Sequence, residues 1–500
     1  MSDIRQGLAK RSVLGMFWTG LSMGALALAE VVALLVLARL LSPSEFGLYA
    51  AALVIIKLAT IFENLGVAPA IVQRPELDER HLRVGFTLSL VLSLLIAGLV
   101  WLVAPAIAHA MRLTELATVV RATSVVFLCQ GIALVAQAVA QRALRFEWLA
   151  AVDAATFAVG FVIAAPIFAL AGFGVWALVG ALMTQNLLRT VVLLIGQPHP
   201  KRLLLERRAA GELLYFGGGF TIARVCNYLA TQVDKIIVGR WLGAEALGIY
   251  SLSSQLMTTP AVIIGQILDR VLFPTMALVQ QEPVRLARAY RSAVAACALV
   301  VLPASVVVAI TAPELVLVLL GPGWDAVVAP LQILAVGMLF RTSYKLSDSI
   351  SRATGVVYAR AWRQAIFVVT VATGAFFGHF WGVTGVAAGV VAAVASNFML
   401  MAHLSLRVTG ISWSEFIGAH APALALASVV GACAWIAVDQ LRQVQVAPLV
   451  LLLNVAIAAG ASGLVSCWLL PTLFLGRDGQ SMLRLIAGMA PAWLRRSRPG

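Results

Sequence analysis

Charge is scarce in this sequence. Of its 500 residues only 12% are Asp, Glu, Lys or Arg, while 61% are apolar. A soluble chain averages about 25% charged and about 45–50% apolar residues, so this one has too little polar surface to face water on all sides. The five cysteines (Cys129, Cys226, Cys297, Cys433 and Cys467) all lie in apolar runs and form no Cys-x-x-Cys pair. That pattern excludes a disulfide framework and reads as small buried hydrophobes. The six histidines are scattered, with no His-x-x-x-His spacing, so no metal is expected. No Gly-x-x-x-x-Gly-Lys-Ser/Thr loop exists, and Gly217-Gly-Gly219 follows no strand, so no ATP site and no other cofactor is expected. Acid is scarcer than base, which leaves a formal net charge of +14. On a soluble protein that excess would suggest nucleic acid. Aromatic-plus-basic surfaces are absent here, so no nucleic-acid partner is expected. In a membrane protein such an excess sits in cytoplasmic loops and faces anionic lipid headgroups.

What the chain does have is long apolar runs. About 20 apolar residues cross the hydrocarbon core as a helix. Scanning at that length gives about fourteen spans. The expected limits are 14–40, 46–70, 84–108, 116–140, 149–171, 174–196, 213–240, 248–272, 292–312, 326–349, 364–380, 384–406, 417–438 and 448–474. The runs are too long for barrel strands, and lipid tolerates no unpaired backbone, so the fold class is all-α and polytopic. Arg5, Lys10 and Arg11 precede an apolar run reaching Leu41. That run is too long for a cleaved signal peptide and reads as a retained first span.

The connections alternate in charge. Arg74, Arg80 and Arg83, then Arg142 and Arg145, then Lys201, Arg202, Arg207 and Arg208 follow even-numbered spans. The pattern continues through Arg285, Arg288 and Arg291, Arg352, Arg360 and Arg363, and Arg407, and both termini are basic. The opposite connections hold Arg39, Arg112, Arg240 and Arg442. Positive charge gathers on the cytoplasmic side, which places both termini there. Every opposite connection is short; Gly172-Phe173-Gly174 is barely a turn.

An internal repeat organises the spans. Arg39-Leu-Leu-Ser-Pro-Ser-Glu-Phe46-Gly47-Leu-Tyr49 follows the first, and Arg240-Trp-Leu-Gly-Ala-Glu-Ala-Leu247-Gly248-Ile-Tyr250 follows the seventh. Phe173-Gly174-Val175 matches Trp381-Gly382-Val383, and Gln141-Arg142-Ala143 matches Ser351-Arg352-Ala353, in the same order and at nearly the same offset. The expected domains are therefore an N-lobe over 1–200, a C-lobe over 201–410, and a C-terminal helix pair with a basic tail over 411–500. Each lobe has an even number of spans, so the two pseudo-symmetric six-helix lobes run the same way through the membrane, related by an axis near its normal.

These residues also suggest a family. Arg39-x-Leu-Ser-Pro-x-Glu-Phe-Gly-x-Tyr, with Asn64-Leu65-Gly66 and Val72-Gln73, resembles the Wzx-type oligosaccharide flippases of bacterial polysaccharide synthesis. So does Asp234-Lys235-Ile-Ile-Val-Gly239-Arg240-x-Leu242-Gly243, and Pro313-Glu314-Leu315 with Gly321-x-Gly323-Trp324 fits the same pattern. That family belongs to a superfamily of multidrug, oligosaccharidyl-lipid and polysaccharide exporters. The resemblance implies two six-helix lobes around a central cavity. It implies an undecaprenyl-pyrophosphate-linked oligosaccharide as substrate, moved from the cytoplasmic to the periplasmic leaflet by alternating access.

Polar stripes inside the spans are the candidate site, because charge in hydrocarbon is costly and needs a reason. Span two carries Lys57 and Asn64 on one face. Span seven carries Arg224, Asn227, Thr231 and Lys235 within about 80° of one face. Span ten carries Arg341, Tyr344, Lys345, Asp348 and Arg352 on another. Gln130, Gln137 and Gln141 line span four, and Gln185, Asn186 and Arg189 span six. On one reading, Lys57, Asn64, Arg224, Asn227, Lys235, Arg341, Tyr344 and Lys345 line a wet cavity. There the cations replace the lost hydration of a pyrophosphate, and the amides and tyrosine serve sugar hydroxyls. On the other reading they hold helices together, with Asp348 paired to Lys345 or Arg341. Asp348, Asp234, Asp153 and Glu63 are candidates to bind a coupling proton or sodium ion, against salt-bridging to a nearby base.

The function expected is that of a flippase with no covalent chemistry, so not an enzyme. Its partners would be the lipid-linked oligosaccharide, membrane lipids, and a polysaccharide polymerase with its export machinery. Two alternatives stand beside it. A multidrug or cation-coupled exporter would favour acidic or aromatic stripes, whereas these are basic. A membrane glycosyltransferase or polymerase would need a sizeable external loop for its catalytic residues.

Overall fold

The computed structural model describes residues 29–64, 67–74, 77–206, 231–261, 279–476 and 478–480, together with residues 26, 225, 228, 229 and 276. Among them every regular element is helical. Nine helices of the described residues are long and apolar enough to cross a bilayer, or up to ten if the bent pair Asp325–Val336 and Met338–Ala353 is one crossing. The chain is a polytopic, all-α membrane protein, as its apolar runs require. The expected spans 14–40, 213–240 and 248–272 lie partly outside the described residues.

The elements in order are α1 (residues 29–40), α2 (Pro43–Asn64), α3 (Val67–Gln73), α4 (Glu79–Met111), α5 (Leu116–Thr123) and α6 (Val125–Arg142). Next come α7 (Phe146–Phe157), a π-helical stretch Ala158–Ala164, α8 (Ala165–Leu170) and α9 (Val175–Gly196). The π stretch runs into Pro166, whose missing N–H already removes one α-helical bond. α10 covers residues 231–261 in two arms, broken at Gly243, whose φ of 90° cannot continue a right-handed helix. The remainder is α11 (Pro283–Ile310), α12 (Ala312–Leu319), α13 (Val328–Val336), α14 (Met338–Ala353), α15 (Val357–Gly378) and α16 (Gly382–Thr409). α17 (Trp413–Gly418), α18 (Ala421–Gln443), α19 (Pro448–Leu469) and α20 (Pro471–Phe474) complete it.

The described residues fall into two compact units. One contains the chain up to Ser251 with Leu319–Pro322, and the other contains Leu252–Val318 with the chain from Gly323. Leu319–Pro322 joins the first because Gly321 lies against the Arg39 side chain; a Cβ there would stand 3.0 Å from Arg39 Cγ.

The first unit has cores around Val67, Ile71, Val84, Leu134 and Val135, and around Leu37, Tyr49, Phe161 and Leu178. The second is built on Leu286, Tyr290, Leu346, Ile350, Phe398 and Phe416. There the Tyr290 and Ser347 hydroxyls hydrogen-bond at 2.8 Å, which satisfies two polar groups away from water. α15 and α16 form a hairpin in which Gly374 meets Gly389 and Gly378 meets Gly385, backbone on backbone. The Gly382-x-x-Gly385-x-x-x-Gly389 run makes that approach possible, as small residues do between helices in lipid. The C-terminal segment is fastened by two ion pairs, from the end of α18 to α12 and from the residues after α20 to α11. Arg442 pairs with Glu314 at 2.7 Å, and Arg291 with Asp478 at 3.0 Å.

Candidate functional site

In the second unit the site is built on α14. Its sequence alternates two kinds of face. Thr342, Ser343, Leu346, Ser347, Ser349, Ile350 and Ser351 are buried, their small hydroxyls bonded mainly back to the preceding turn. Arg341, Tyr344, Lys345 and Asp348, all half-buried, and the exposed Arg352 stand on the opposite face, with Tyr344 also packed against the core. A helix that packs through serine and threonine can lie close to α11 and α16 while presenting its long cations elsewhere. Those cations cannot point into hydrocarbon, where each would cost several kcal/mol.

Asp348 organises this stripe. It pairs with Arg352 one turn on, at 3.2 Å, and with Arg360 at the start of α15. Arg352 reaches it along α14 itself, and Arg360 reaches it because the tight turn at Gly355 (φ 73°) folds α15 back beside the end of α14. Arg341 donates to Thr258 Oγ1 at 2.6 Å. Tyr344 lies in the combined field of Asp348, Arg341 and Arg360. One carboxylate thus faces four cations, Arg341, Lys345, Arg352 and Arg360, and the stripe keeps a net positive charge.

In the first unit polar side chains bridge four helices. Thr60 of α2 donates to Gln130 Oε1 of α6 at 3.4 Å, and Gln130 donates to Asn186 Oδ1 of α9 at 3.2 Å. One turn along α9, Arg189 pairs with Asp153 of α7 at 2.7 Å. Lys57, one turn before Thr60, is exposed in the middle of a membrane-length helix and adds its charge to the field at Glu30 of α1. Asp234 accepts from the Tyr250 hydroxyl at 2.7 Å and from the Lys235 backbone N–H at 2.9 Å, so it ties the two arms of α10 together. Glu63 differs from all of these. It is 1% exposed, and neither carboxylate oxygen has a hydrogen-bond partner among the described residues.

Of the residues expected from sequence, Arg224 and Asn227 lie outside the described residues, as does the side chain of Asn64. Arg341, Tyr344 and Lys345 share the charged face of α14. Lys57 and Lys235 are in the first unit. Sequence reasoning missed Thr258 and Arg360. Arg360 read as a loop cation that sets orientation, and only the turn at Gly355 reveals its second role. Among the described residues no group of three or more His, Cys, Asp or Glu side chains could hold a metal ion.

The model of a family described as "Polysaccharide biosynthesis protein" matches residues 36–329. The chain belongs to that family. This polysaccharide biosynthesis protein is similar to the lipopolysaccharide biosynthesis protein WzxC of Escherichia coli K12, at 24% identity over 82% of this chain and 84% of the relative. It is 25% identical to the teichuronic acid biosynthesis protein TuaB of Bacillus subtilis, over 70% of this chain and 72% of TuaB. Its fold is that of the lipid II flippase MurJ in an inward closed conformation, with a TM-score of 0.74 at 12% identity, over 92% of this chain and 99% of that one. An inward-facing MATE-family multidrug transporter follows, with a TM-score of 0.60 at 16% identity, over 77% of this chain and 95% of that one.

Proposed function

We propose that this polysaccharide biosynthesis protein is a flippase. It carries an undecaprenyl-pyrophosphate-linked oligosaccharide from the cytoplasmic to the periplasmic leaflet of the inner membrane, with both termini cytoplasmic. The observation that carries the reading is the cationic face of α14. A pyrophosphate bears several negative charges and must cross about 30 Å of hydrocarbon. Arg341, Lys345, Arg352 and Arg360 offer it charge-assisted hydrogen bonds in place of water. Asp348 holds two of these cations in position meanwhile, so the empty stripe is not left wholly uncompensated. Tyr344 stands on the same stripe to serve sugar hydroxyls, and the prenyl tail stays in lipid; Lys57, Asn64, Arg224, Asn227 and Lys235 are substrate-binding candidates on their residue chemistry alone. The lobes 1–200 and 201–410, with the pair 411–500, are the bodies that rock, making about fourteen spans in all. The chemistry is movement without bond making, and the product passes to a polymerase and its export machinery. A stripe that is net positive repels organic cations, which counts against a cation exporter.

The same reading assigns the coupling role. Asp153, Asp234 and Asp348 are committed to Arg189, Tyr250 and two arginines. Among the described residues Glu63 alone of the four is buried without a hydrogen-bond partner, and burying an unpaired charge costs several kcal/mol. A carboxyl in that position changes its charge only when its surroundings open, which is what a coupling group requires. The test uses cells lacking this chain, in which the leaflet holding the prenyl-linked oligosaccharide is determined. Cytoplasmic accumulation, relieved by the wild type and not by Arg341→Ala/Lys345→Ala, is expected. Normal flipping with unpolymerised sugar outside would overturn the reading.

A further inference from the structure

One turn beyond Arg360, α15 carries a cation that the Asp348 stripe does not use. Arg363 is 5% exposed, and three contacts hold its guanidinium. Nε donates to the Leu400 carbonyl oxygen of α16 at 3.1 Å, and Nη1 donates to the Ala359 carbonyl oxygen at 2.6 Å. Cζ lies 4.4 Å from the centre of the Trp362 ring. Arg407, exposed near the end of α16, adds a second positive charge to the field at Arg363. Among the described residues no carboxylate pairs with either arginine. Other cations of the membrane helices do meet acid: Arg189 meets Asp153, and Arg360 meets Asp348. A carbonyl oxygen satisfies an N–H without cancelling the charge. Burying a charge with no counter-ion is strongly unfavourable, so this pair of arginines calls for an anion.

The surface beside the pair decides which kind of anion. Trp362, Ile366, Val369 and Phe376 are all exposed and fall within about 80° of one face of α15. Trp362 heads this apolar stripe and is also the ring that Arg363 covers. Arg363 lies about 9 Å along the axis from the first residue of α15. Arg407 lies in the last turn of α16. The charges therefore stand at headgroup level, as the exposed Tyr358 and Trp362 also indicate, and the stripe descends to the depth of acyl chains. A free anion would use the charges and leave the stripe bare. An anionic amphiphile uses both. We infer that the cytoplasmic end of the α15–α16 hairpin binds an anionic phospholipid, with its phosphate on Arg363 and Arg407 and an acyl chain along the stripe headed by Trp362. The leaflet rests on the basic-loop asymmetry, and the site does not depend on what the protein carries. Bound there, the lipid supplies the missing negative charge and clamps the end of a hairpin whose middle is held glycine on glycine.

The test reconstitutes the full chain in phosphatidylcholine vesicles and adds brominated phosphatidylglycerol or brominated phosphatidylcholine stepwise. Bromine on an acyl chain quenches a neighbouring tryptophan. The difference between the wild type and Trp362→Phe isolates Trp362 from the other tryptophans. Trp362 should be quenched at an about tenfold lower fraction of the anionic lipid than of the zwitterionic one. Arg363→Gln and Arg407→Gln should each cut that preference about fivefold, the share of one interfacial cation. Arg407→Gln leaves both Arg363 bonds in place, which covers the case in which Arg363→Gln fails to fold. Arg285→Gln, at an exposed cation of α11 paired with Glu282, should keep the wild-type preference. Equal quenching by the two lipids in the wild type overturns the inference. So does a preference that survives Arg407→Gln, or one that Arg285→Gln lowers as much, because general surface charge then explains it. Excess inorganic phosphate at matched ionic strength should change nothing. If it abolishes the preference, the site takes a free phosphate and the lipid assignment fails.

Discussion

The two compact units both carry charge in membrane-length helices, and they balance it in opposite ways. In the first, amides and the Arg189–Asp153 ion pair join the helices, and Glu63 is buried with no hydrogen-bond partner among the described residues. In the second, one acid, Asp348, is shared between two arginines on a stripe where cations outnumber it. On the proposed reading the two do different work: the buried carboxyl takes up and releases a proton, and the cationic stripe holds an anion. The same number of charges spread evenly, each paired, would only have glued helices together.

That contrast can be broken most sharply in the second unit. Replacing Arg341 and Lys345 together by alanine removes two cations from the charged face of α14. Each charge-assisted bond contributes about 1.5–3 kcal/mol. Export of the lipid-linked oligosaccharide, measured by its leaflet distribution, should fall about a hundredfold or more. In the first unit, Glu63→Gln keeps shape and neutrality but cannot titrate. In proteoliposomes, flipping driven by an imposed pH gradient should lose about tenfold and become indifferent to the gradient. Asp153→Asn should retain the gradient response, because its charge is already committed to Arg189.

Smaller effects sharpen the comparison. Asp348→Asn removes the shared acceptor of Arg352 and Arg360, which are partly open, so the stability cost is about 1 kcal/mol and the melting midpoint falls by about 2–4 °C. The smallest effect is expected at His199, in the connection after α9, whose ring packs on Phe86 at 5.6 Å. Burial lowers its pKa from the ordinary value, outweighing the raising effect of its hydrogen bond to Gln197. The unfolded chain therefore binds the proton more readily, and stability is lost as pH falls through the ordinary histidine range. Acidification from about pH 7.5 to pH 5.5 should lower the midpoint of the wild type about a degree more than that of His199→Gln.

The sequence by itself determined the class of the molecule. Apolar runs of membrane length admit only helices, because lipid supplies no hydrogen bonds, and this follows from composition without any contact. The repeat was legible for the same reason: matching Arg, Gly and Tyr at one offset need only be counted. The stripe on α14 was legible too, since helical periodicity alone puts Arg341, Tyr344, Lys345 and Asp348 on one face. What periodicity lacks is the neighbour. It gives the face a residue occupies on its own helix, but not what stands opposite. Only the tertiary structure brought Arg360 to Asp348, left Glu63 without a hydrogen-bond partner among the described residues, and set Gly47 against Ala244 and Gly248 against Pro43. Those outcomes depend on contacts between helices far apart in the chain, and short-range spacing carries no record of them.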